Sequence, residues 1–290
     1  VYHLPGLFEF YDFYRKFLPI YREKTEYFYD WCQIGSLYGA PADCLWAGGR
    51  VSTGNADPRQ VLALTEEYGL SARLTFSNSL LRPEHLKDPK CNRLCALFGA
   101  EPGNGVIVHS ELLLDYLKEK YPNFYFVSST TKVLTDFEDL AAETERPDFR
   151  YVVPDFRLNK VFDRLAGLKE KRKVEFLCNE CCWLGCQERK ACYENVSRKN
   201  LGERCPDHIC AAPEGEKGYR FSAAMKNPAF IGIRDIRETY LPMGFSQFKI
   251  EGRGLGSAML LEFILYYLTK PEYQLPLREE MYLDSMLDLF

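Results

Sequence analysis

The sequence predicts an α/β fold of the (β/α)8 TIM-barrel type with a cysteine-rich insertion after the seventh strand. The chain has 290 residues, which is the usual size of such a barrel. Short apolar runs alternate with amphipathic helical stretches, as in repeated βα units. We therefore expect one barrel domain over residues 1–290, with residues 179–227 as the insertion. A doubly wound open sheet is the alternative, and it is disfavoured because no glycine-rich nucleotide turn follows the first strand.

Eight short runs rich in β-branched and aromatic residues are the predicted strands, and their spacing along the chain matches the barrel. The predicted strands are His3–Leu7, Asp30–Leu37, Arg73–Ser77, Gly105–Val108, Phe124–Ser128, Tyr151–Pro154, Val174–Cys178 and Gln247–Ile250.

Amphipathic stretches that follow most of these strands are the predicted helices. Asp57 is a plausible N-cap for the second helix, and Ser110 for the third. The aromatic residues of the first helix are expected to pack on the barrel. The predicted helices are Glu9–Arg22, Pro58–Tyr68, Ser110–Lys120, Phe137–Glu143, Val161–Lys169 and Gly256–Leu268.

Composition narrows the classes of protein to consider. The net charge is −4, without a long run of one sign, which argues against a broad, non-specific nucleic-acid surface. No apolar run approaches ~18 residues, so no membrane span is expected. The longest candidate, Met259–Leu268, contains Glu262. No signal peptide is visible and we expect a cytoplasmic protein, although the chain begins at Val1 rather than Met and leaves the native N-terminus open.

Cysteines are crowded into one segment. The chain has eleven, and seven of them lie between Cys178 and Cys210. A disulfide framework would spread its bridges over a small secreted domain, so this pattern favours metal ligation. Cys182 and Cys186 are four residues apart and would share one face of a helix. Cys205 and Cys210 could close the site from a loop.

The type of ligand and the spacing of the cysteines limit which metals this segment could bind. Thiolates select zinc, copper(I) or iron–sulfur clusters. Structural zinc sites often show two short C-x2-C pairs, whereas the spacings here are wider and uneven, which suits a [4Fe–4S] cluster at least as well. Zinc remains the alternative, and a set of buried free thiols is the third interpretation. The segment leaves the carboxyl end of a barrel strand, where barrel enzymes carry their chemistry.

Two runs resemble a known family. Residues 179–193 resemble the N-E-G-C-x3-C-P-x-R-x2-H-Y run of the collagenase-like peptidase (U32) family of unassigned mechanism, closest to uncharacterised bacterial members. Three positions depart from that run: Cys181 stands for Gly, Gln187 for Pro and Cys192 for His. The run Phe248–Arg253 resembles the family's strand-eight F-K-I-x-G-R.

The resemblance implies a barrel enzyme with a metal centre. Several relatives are [4Fe–4S] proteins that support hydroxylation of RNA bases or of a quinone ring. It therefore implies a small-molecule or nucleobase substrate, and a protein partner subunit because some relatives act as paired subunits. Cys192, at a position where the family has His, is an additional candidate ligand. The candidate metal ligands are Cys182, Cys186, Cys192, Cys205 and Cys210.

Polar residues at the strand ends complete the candidate site, because these ends converge on one mouth of a barrel. Several have an ordinary alternative: His109 is structural, Asp155 pairs with Arg157, and Glu251 and Arg253 form an ion pair. The candidate catalytic residues are His109, Asp155, Glu251 and Arg253, and the candidate cofactor-binding residues are Asn78, Asn179, Arg189 and Lys249. The loop Trp46–Arg50 carries two glycines that allow close approach of a ligand or simply form a turn.

Three functions follow as hypotheses. The first is a [4Fe–4S] enzyme that hydroxylates or otherwise modifies a ring or nucleobase. The second is a hydrolase or peptidase with zinc or no metal, which neither a Ser-His-Asp elbow nor an H-E-x-x-H run supports. The third is a non-catalytic partner subunit whose metal holds a loop.

Overall fold

A computed structural model describes residues 1–49, 54–213, 215 and 218–287, with side chains up to residue 282. Eight strands form one parallel sheet. The strands are β1 (Tyr2–Pro5), β2 (Ile34–Gly39), β3 (Ser71–Phe76), β4 (Gly105–Val108), β5 (Tyr125–Ser128), β6 (Phe149–Val152), β7 (Glu175–Leu177) and β8 (Gln247–Lys249).

The sheet closes into a barrel. Its strands lie in the order β6-β5-β4-β3-β2-β1-β8-β7, and every pairing is parallel. The two ends of that order meet through a parallel bridge between Val152 and Val174. This confirms the predicted (β/α)8 fold, because a closed parallel sheet with intervening helices is the defining arrangement of a TIM-type barrel.

Helices follow the strands around the outside. Asp57 caps the second helix by accepting from the Arg59 amide at 2.8 Å, as predicted. Ser110 caps the fourth by accepting from Leu113 N. The helices are α1 (Tyr11–Glu23), α2 (Pro58–Glu67), α3 (Pro89–Phe98), α4 (Glu111–Lys120), α5 (Phe137–Glu145), α6 (Phe162–Leu165), α7 (Arg189–Asn200), α8 (Phe221–Ala224), α9 (Ile233–Asp235), α10 (Ser257–Tyr267) and α11 (Gln274–Leu287).

All eight predicted strands are present, displaced by a few residues at most of their ends. The predicted helix Val161–Lys169 is much shorter, and α3, α7, α8, α9 and α11 were not predicted. The expectation that Cys182 and Cys186 share a helix face is wrong. Residues 178–188 are irregular, with a turn in which Cys186 N donates to Trp183 O, and α7 begins only at Arg189.

The barrel interior has two layers of different chemistry. Apolar side chains fill the layer near the carboxyl ends of the strands. The layer beneath it is polar and charged, and its members are nearly inaccessible to water. The apolar layer consists of Tyr38, Ile107, Val127, Val153 and Leu177, and the polar layer includes His3, Ser36, Arg73, Glu175 and Gln247.

The outer surface of the sheet is covered by the helices. Phe13, Tyr14 and Phe17 of α1 are buried in the main core, as the aromatic spacing predicted. Burying each such aromatic side chain contributes roughly 2 kcal/mol. Among the described residues, no helix is both long and apolar enough to cross a bilayer.

Candidate functional site

A cavity of about 320 Å³ lies at the carboxyl ends of the strands. Residues in or directly after seven of the eight strands line it. The segment after β7 contributes Glu180 and Cys181, and the segment after β8 contributes Glu251 and Arg253. Both runs that resemble the peptidase family therefore meet at this one cavity.

Lys249 forms part of the wall nearest the barrel interior. Its side chain is 6% exposed, and its Nζ lies 3.3 Å from Oε1 of Glu175 and 3.7 Å from the ring centre of Tyr38. Tyr38 is itself fixed, because its hydroxyl donates to Ile250 O at 2.6 Å. Lys249 therefore joins the polar layer beneath to the cavity above.

The polar layer holds two cations around one carboxylate. Nη1 of Arg73 lies 2.5 Å from Oε2 of Glu175, and both side chains are buried. Burial alone would raise the pKa of Glu175, but Arg73, His3 and Lys249 hold it far below its ordinary value. Burial lowers the pKa of Lys249 to about 8, with Glu175 opposing and Arg73 reinforcing that shift.

His3 remains neutral in this layer. Burial, with the charge of Arg73, lowers the pKa of its imidazole to about 3. Its Nδ1 hydrogen-bonds with Ser36 Oγ at 2.8 Å and its Nε2 with Gln247 Oε1 at 3.0 Å. Within the polar layer, the charges that act on Lys249 are therefore those of Arg73 and Glu175, which have opposite sign, and Arg253 adds a positive charge from the cavity side.

Tyrosine rings and hydroxyl groups form the cavity walls. Tyr38, Tyr193 and Tyr219 line the cavity, together with Thr75 and Ser77 at the end of β3. The hydroxyls of Thr75 and Ser77 are buried and have no hydrogen-bond partner among the described residues. A buried hydroxyl without a partner costs about 1–3 kcal/mol, so these two groups are poised to bond a ligand.

The glycine loop after β2 packs on the same wall. A Cβ on Gly48 would lie 2.4 Å from the carbonyl of Ser77, so only glycine fits there. Gly48 and Gly49 both line the cavity. Arg50, the last residue of the predicted loop, lies outside the described residues. Gly48 therefore packs against the end of strand β3 rather than against a ligand.

Arg189 is the centre of a buried ion network behind the cavity. It donates from Nη1 to Asp155 Oδ2 at 2.6 Å, and from Nη2 to Glu180 Oε2 and to Tyr193 Oη. Burial alone would lower its pKa, but Tyr193, Glu180 and Asp155 raise it well above its ordinary value. Arg157 adds a second guanidinium, 2.6 Å from Asp155 Oδ1. Asp155 therefore orients two arginines, which is more than the predicted pair with Arg157.

Three other predicted residues hold the loops together. Asn179 exchanges two hydrogen bonds with the backbone of Glu251, at 2.7 and 3.1 Å, and so joins the ends of β7 and β8. Asn78 donates to the carbonyls of Leu45 and Ser197, which ties β3 to α7. Arg253 forms a buried ion pair with Glu9 at 2.8 Å.

The candidate metal-binding thiols lie in the segment between β7 and β8. Cys186 is buried, Cys182, Cys192 and Cys205 are partly buried, and Cys210 is exposed. Position 181 does not require the family's glycine, since Val133 is the only non-glycine residue with positive φ in the described part of the chain.

The neighbours of these sulfurs are nitrogen donors and cations. Asn195 lies one turn after Cys192 on α7, and its amide contacts the sulfur of Cys205 at 3.6 Å. Cys192 and Cys205 therefore lie on the same side of that helix. Arg189 and Arg157 interact electrostatically with Cys182 and Cys186, respectively.

Carboxylates supply a different possible ligand set. Among the described residues, Glu180, Cys181 and Glu251 form the group of three ligand atoms within 4.8 Å of one another. Glu180 is poorly suited to a metal. Its Oε1 accepts from the amides of Cys181 and Cys182, and its Oε2 accepts from Arg189. Both of its carboxylate oxygens therefore already accept structural hydrogen bonds.

Comparison with solved structures agrees with this architecture. The barrel has the fold of a U32 peptidase. The solved structure of the U32 peptidase Mk0906 matches with a TM-score of 0.55 and 15% sequence identity, over 87% of this chain and 92% of that chain. No family model and no curated protein matches the sequence. At this identity the likeness to the U32 peptidase establishes the fold.

The cavity of this U32-like barrel brings together some of the predicted residues. Lys249, Glu251 and Arg253 line it. His109 does not; its Nδ1 hydrogen-bonds with Thr131 Oγ1 at 2.9 Å, and burial lowers its pKa to about 4. The other predicted residues lie behind the lining or in the cysteine segment. These are Asn78, Asp155, Asn179, Arg189, Cys182, Cys186, Cys192, Cys205 and Cys210.

Several lining residues were not predicted as site residues. Thr75 and Ser77 are two apart on β3, so strand alternation could have placed both inside the barrel. Cys181 was not among the candidate metal ligands. Tyr193 ends the family-like run but was given no role, and nothing in the local sequence marks Tyr219, because its position depends on how the segment between β7 and β8 folds back over the mouth.

Proposed function

We propose that this chain is an iron–sulfur enzyme that modifies an aromatic ring or nucleobase in the mouth cavity. The observation that carries the proposal is the meeting of the two family-like runs at one cavity, with Cys181 from the first and Lys249 from the second in its lining. Barrel enzymes carry their chemistry at this end of the strands.

The donor set supports a thiolate-bound cofactor. Cys182, Cys186, Cys192 and Cys205 are at least partly buried, whereas Cys210 is exposed. Thiolate is the form that binds metal. The guanidinium groups of Arg189 and Arg157 interact electrostatically with Cys182 and Cys186, respectively. These four cysteines would hold a [4Fe–4S] cluster, which supplies one-electron chemistry when bound.

The spacing of the cysteines along the chain suits a cluster at least as well as a single zinc ion, because structural zinc sites often show two short C-x2-C pairs. Among the described residues, the three ligand atoms that lie within 4.8 Å of one another belong to Glu180, Cys181 and Glu251 rather than to the four cysteines.

The cavity walls support a ring-shaped substrate. Tyr38, Tyr193 and Tyr219 offer faces for stacking, and Thr75 and Ser77 offer hydroxyl donors for ring oxygen or nitrogen atoms. Peptide hydrolysis is less well supported, because no histidine lines the described cavity to serve as a general base. The residues of this chain would bind and orient the ring and exclude water around it.

Anaerobic purification tests the cofactor. We expect a brown protein with iron and sulfide in about equal amounts, as in iron–sulfur clusters. Cys186→Ala should lose most of the iron, while Cys95→Ala, at a buried cysteine of α3, should keep it. Stoichiometric zinc in a colourless protein would contradict the proposal and favour the zinc alternative.

Thermal-shift measurements with uracil and 4-hydroxybenzoate test the cavity. Either probe should raise the melting temperature of the wild-type protein, because ligand binding stabilises the folded state. Ser77→Phe, which fills the cavity, should abolish that shift, and its own melting temperature reports whether it folds. A shift that Ser77→Phe leaves unchanged would place ligand binding elsewhere.

A further inference from the structure

Lys249 is buried and also lines the mouth cavity, a position that a purely structural ion pair does not require. It is the only lysine in the described lining of the mouth cavity, and its side chain is 6% exposed. Its Nζ lies over the ring of Tyr38 at 3.7 Å and 3.3 Å from Glu175. The amine is thus held at one place, with the cavity on one side and a carboxylate on the other.

Burial makes the protonated form of Lys249 less stable than that of an ordinary lysine, and the nearby arginines offset part of the attraction of Glu175. Glu175 is already paired with Arg73 at 2.5 Å, a shorter contact than the one it makes with Lys249. The imidazole of His3 is uncharged, and Arg253 lies on the cavity side. If Lys249 is protonated, Glu175 therefore has two buried cations beside it, Arg73 and Lys249. Burial lowers the pKa of Lys249 to about 8, in agreement with this count.

A desolvated lysine beside another cation is the usual form of an imine-forming nucleophile. We propose that the ε-amine of Lys249 condenses with an aldehyde or ketone group of a ligand in the mouth cavity. This inference rests on the proposed function only in taking that cavity as the active site, and it requires no metal.

The condensation balances without an added oxidant or reductant. The nitrogen lone pair attacks the carbonyl carbon as the C=O π bond breaks, and a proton passes from the nitrogen to the oxygen to give a neutral carbinolamine. A second proton, taken from solvent, lets that oxygen leave as water, and the nitrogen lone pair completes the iminium ion. Thr75 and Ser77 line the same cavity with unpartnered hydroxyls, which can donate to the carbonyl oxygen as its charge grows.

The walls indicate which carbonyl compounds fit. Tyr38, Tyr193 and Tyr219 favour a carbonyl carried by a ring or a short apolar group, and the volume of about 320 Å³ admits one ring with its substituents. An aryl aldehyde such as benzaldehyde satisfies both conditions and serves as the probe.

Reductive trapping tests the inference. Wild-type protein is incubated with benzaldehyde and sodium cyanoborohydride at pH 7, which converts an iminium into a stable benzylamine, and peptide mass spectrometry then locates the benzyl groups. A pKa near 8 leaves roughly a hundred times more neutral amine at pH 7 than an ordinary lysine has. We expect Lys249 to be benzylated at least tenfold faster than any other lysine.

Lys132 is the matched control. Its side chain is also mostly buried, and it contacts two carboxylates, those of Glu143 at 2.6 Å and Glu111 at 2.9 Å, but it does not line the cavity. Benzylation of Lys249 no faster than that of Lys132 in folded wild-type protein would overturn the inference. This comparison needs no variant, so it holds even where Lys249→Met fails to fold.

Two further samples separate this inference from the proposed function. Lys249→Arg keeps the cation and should show no rapid adduct, with circular dichroism reporting its fold. Iron content is measured in the same anaerobic preparation. Rapid labelling of Lys249 in protein without iron would support the imine and contradict the cluster. A brown, iron-containing protein in which Lys249 is not labelled would support the cluster and contradict the imine.

Discussion

The guanidinium of Arg189 lies 2.6 Å from the carboxylate of Asp155, and neither side chain is accessible to water. Arg189 begins helix α7, whereas Asp155 follows strand β6, so this contact fixes the cysteine segment to the barrel. The same guanidinium also bonds Glu180 beside the cavity. One buried cation thus holds two carboxylates from different strand ends.

Arg189→Met should therefore destabilise the protein strongly. Removing the cation leaves Glu180 without its guanidinium partner and Asp155 with Arg157 alone, and breaking a buried ion pair costs about 3–5 kcal/mol. Urea denaturation measures the change. Arg198→Met is the control on the same helix, because that side chain is 52% exposed and its contact with Glu203 is long at 3.5 Å. Equal losses in the two variants would show that the ion network contributes nothing beyond the helix itself.

The stability of the fold should fall as the pH drops below about 6.5. His3 and His109 have folded pKa values of about 3 and about 4, below the unfolded value of ~6.5. Between these limits the unfolded chain binds more protons than the folded one, so acid favours unfolding. Each histidine contributes a slope of up to ~1.4 kcal/mol per pH unit.

Urea titrations at several pH values between 6.5 and 5 measure this slope. His3→Gln, which cannot titrate, should reduce it by about half because His109 still contributes. His109→Gln should reduce it by a similar amount, because the folded pKa of His109 is also lowered by burial. A slope that His3→Gln does not alter would mean that the His3 imidazole is protonated in the folded state, next to Glu175 at 3.5 Å.

The barrel could be predicted because its signals are local. Each strand is a short apolar run between turn residues, and Gly105–Val108 was located with both ends correct. Helix α3 was missed although Asp88 caps it and Pro89 occupies its first turn. Its polar residues and two cysteines interrupt the helical spacing of apolar residues on which the helix predictions depended.

Site residues could be predicted from the sequence only where they lie in, or directly after, a recognisable strand. Lys249 and Glu251 are part of, or directly follow, a recognisable strand, so their place at the mouth followed from the fold. The pair of Glu9 with Arg253 joins residues 244 positions apart, and no spacing rule reaches that far. The irregular segment after β7 was misassigned at Cys182 and Cys186, because i,i+4 spacing has meaning only within a helix.

The unpartnered hydroxyl of Thr75 gives a prediction that separates stability from binding. Thr75→Val removes no hydrogen bond, so the free energy of unfolding should stay the same or rise by about 1 kcal/mol. Affinity for the ring probe that binds should fall about 3- to 10-fold, the loss of one neutral hydrogen bond. Urea denaturation measures the free energy of unfolding, and calorimetry measures the affinity for the probe.

Thr65→Val is the control for this prediction. The buried hydroxyl of Thr65 donates to Leu62 O at 2.8 Å, so its loss should cost about 1 kcal/mol of stability without affecting binding of the probe. If Thr75→Val loses as much stability as Thr65→Val and binds the probe unchanged, the Thr75 hydroxyl has a structural partner and takes no part in ligand binding.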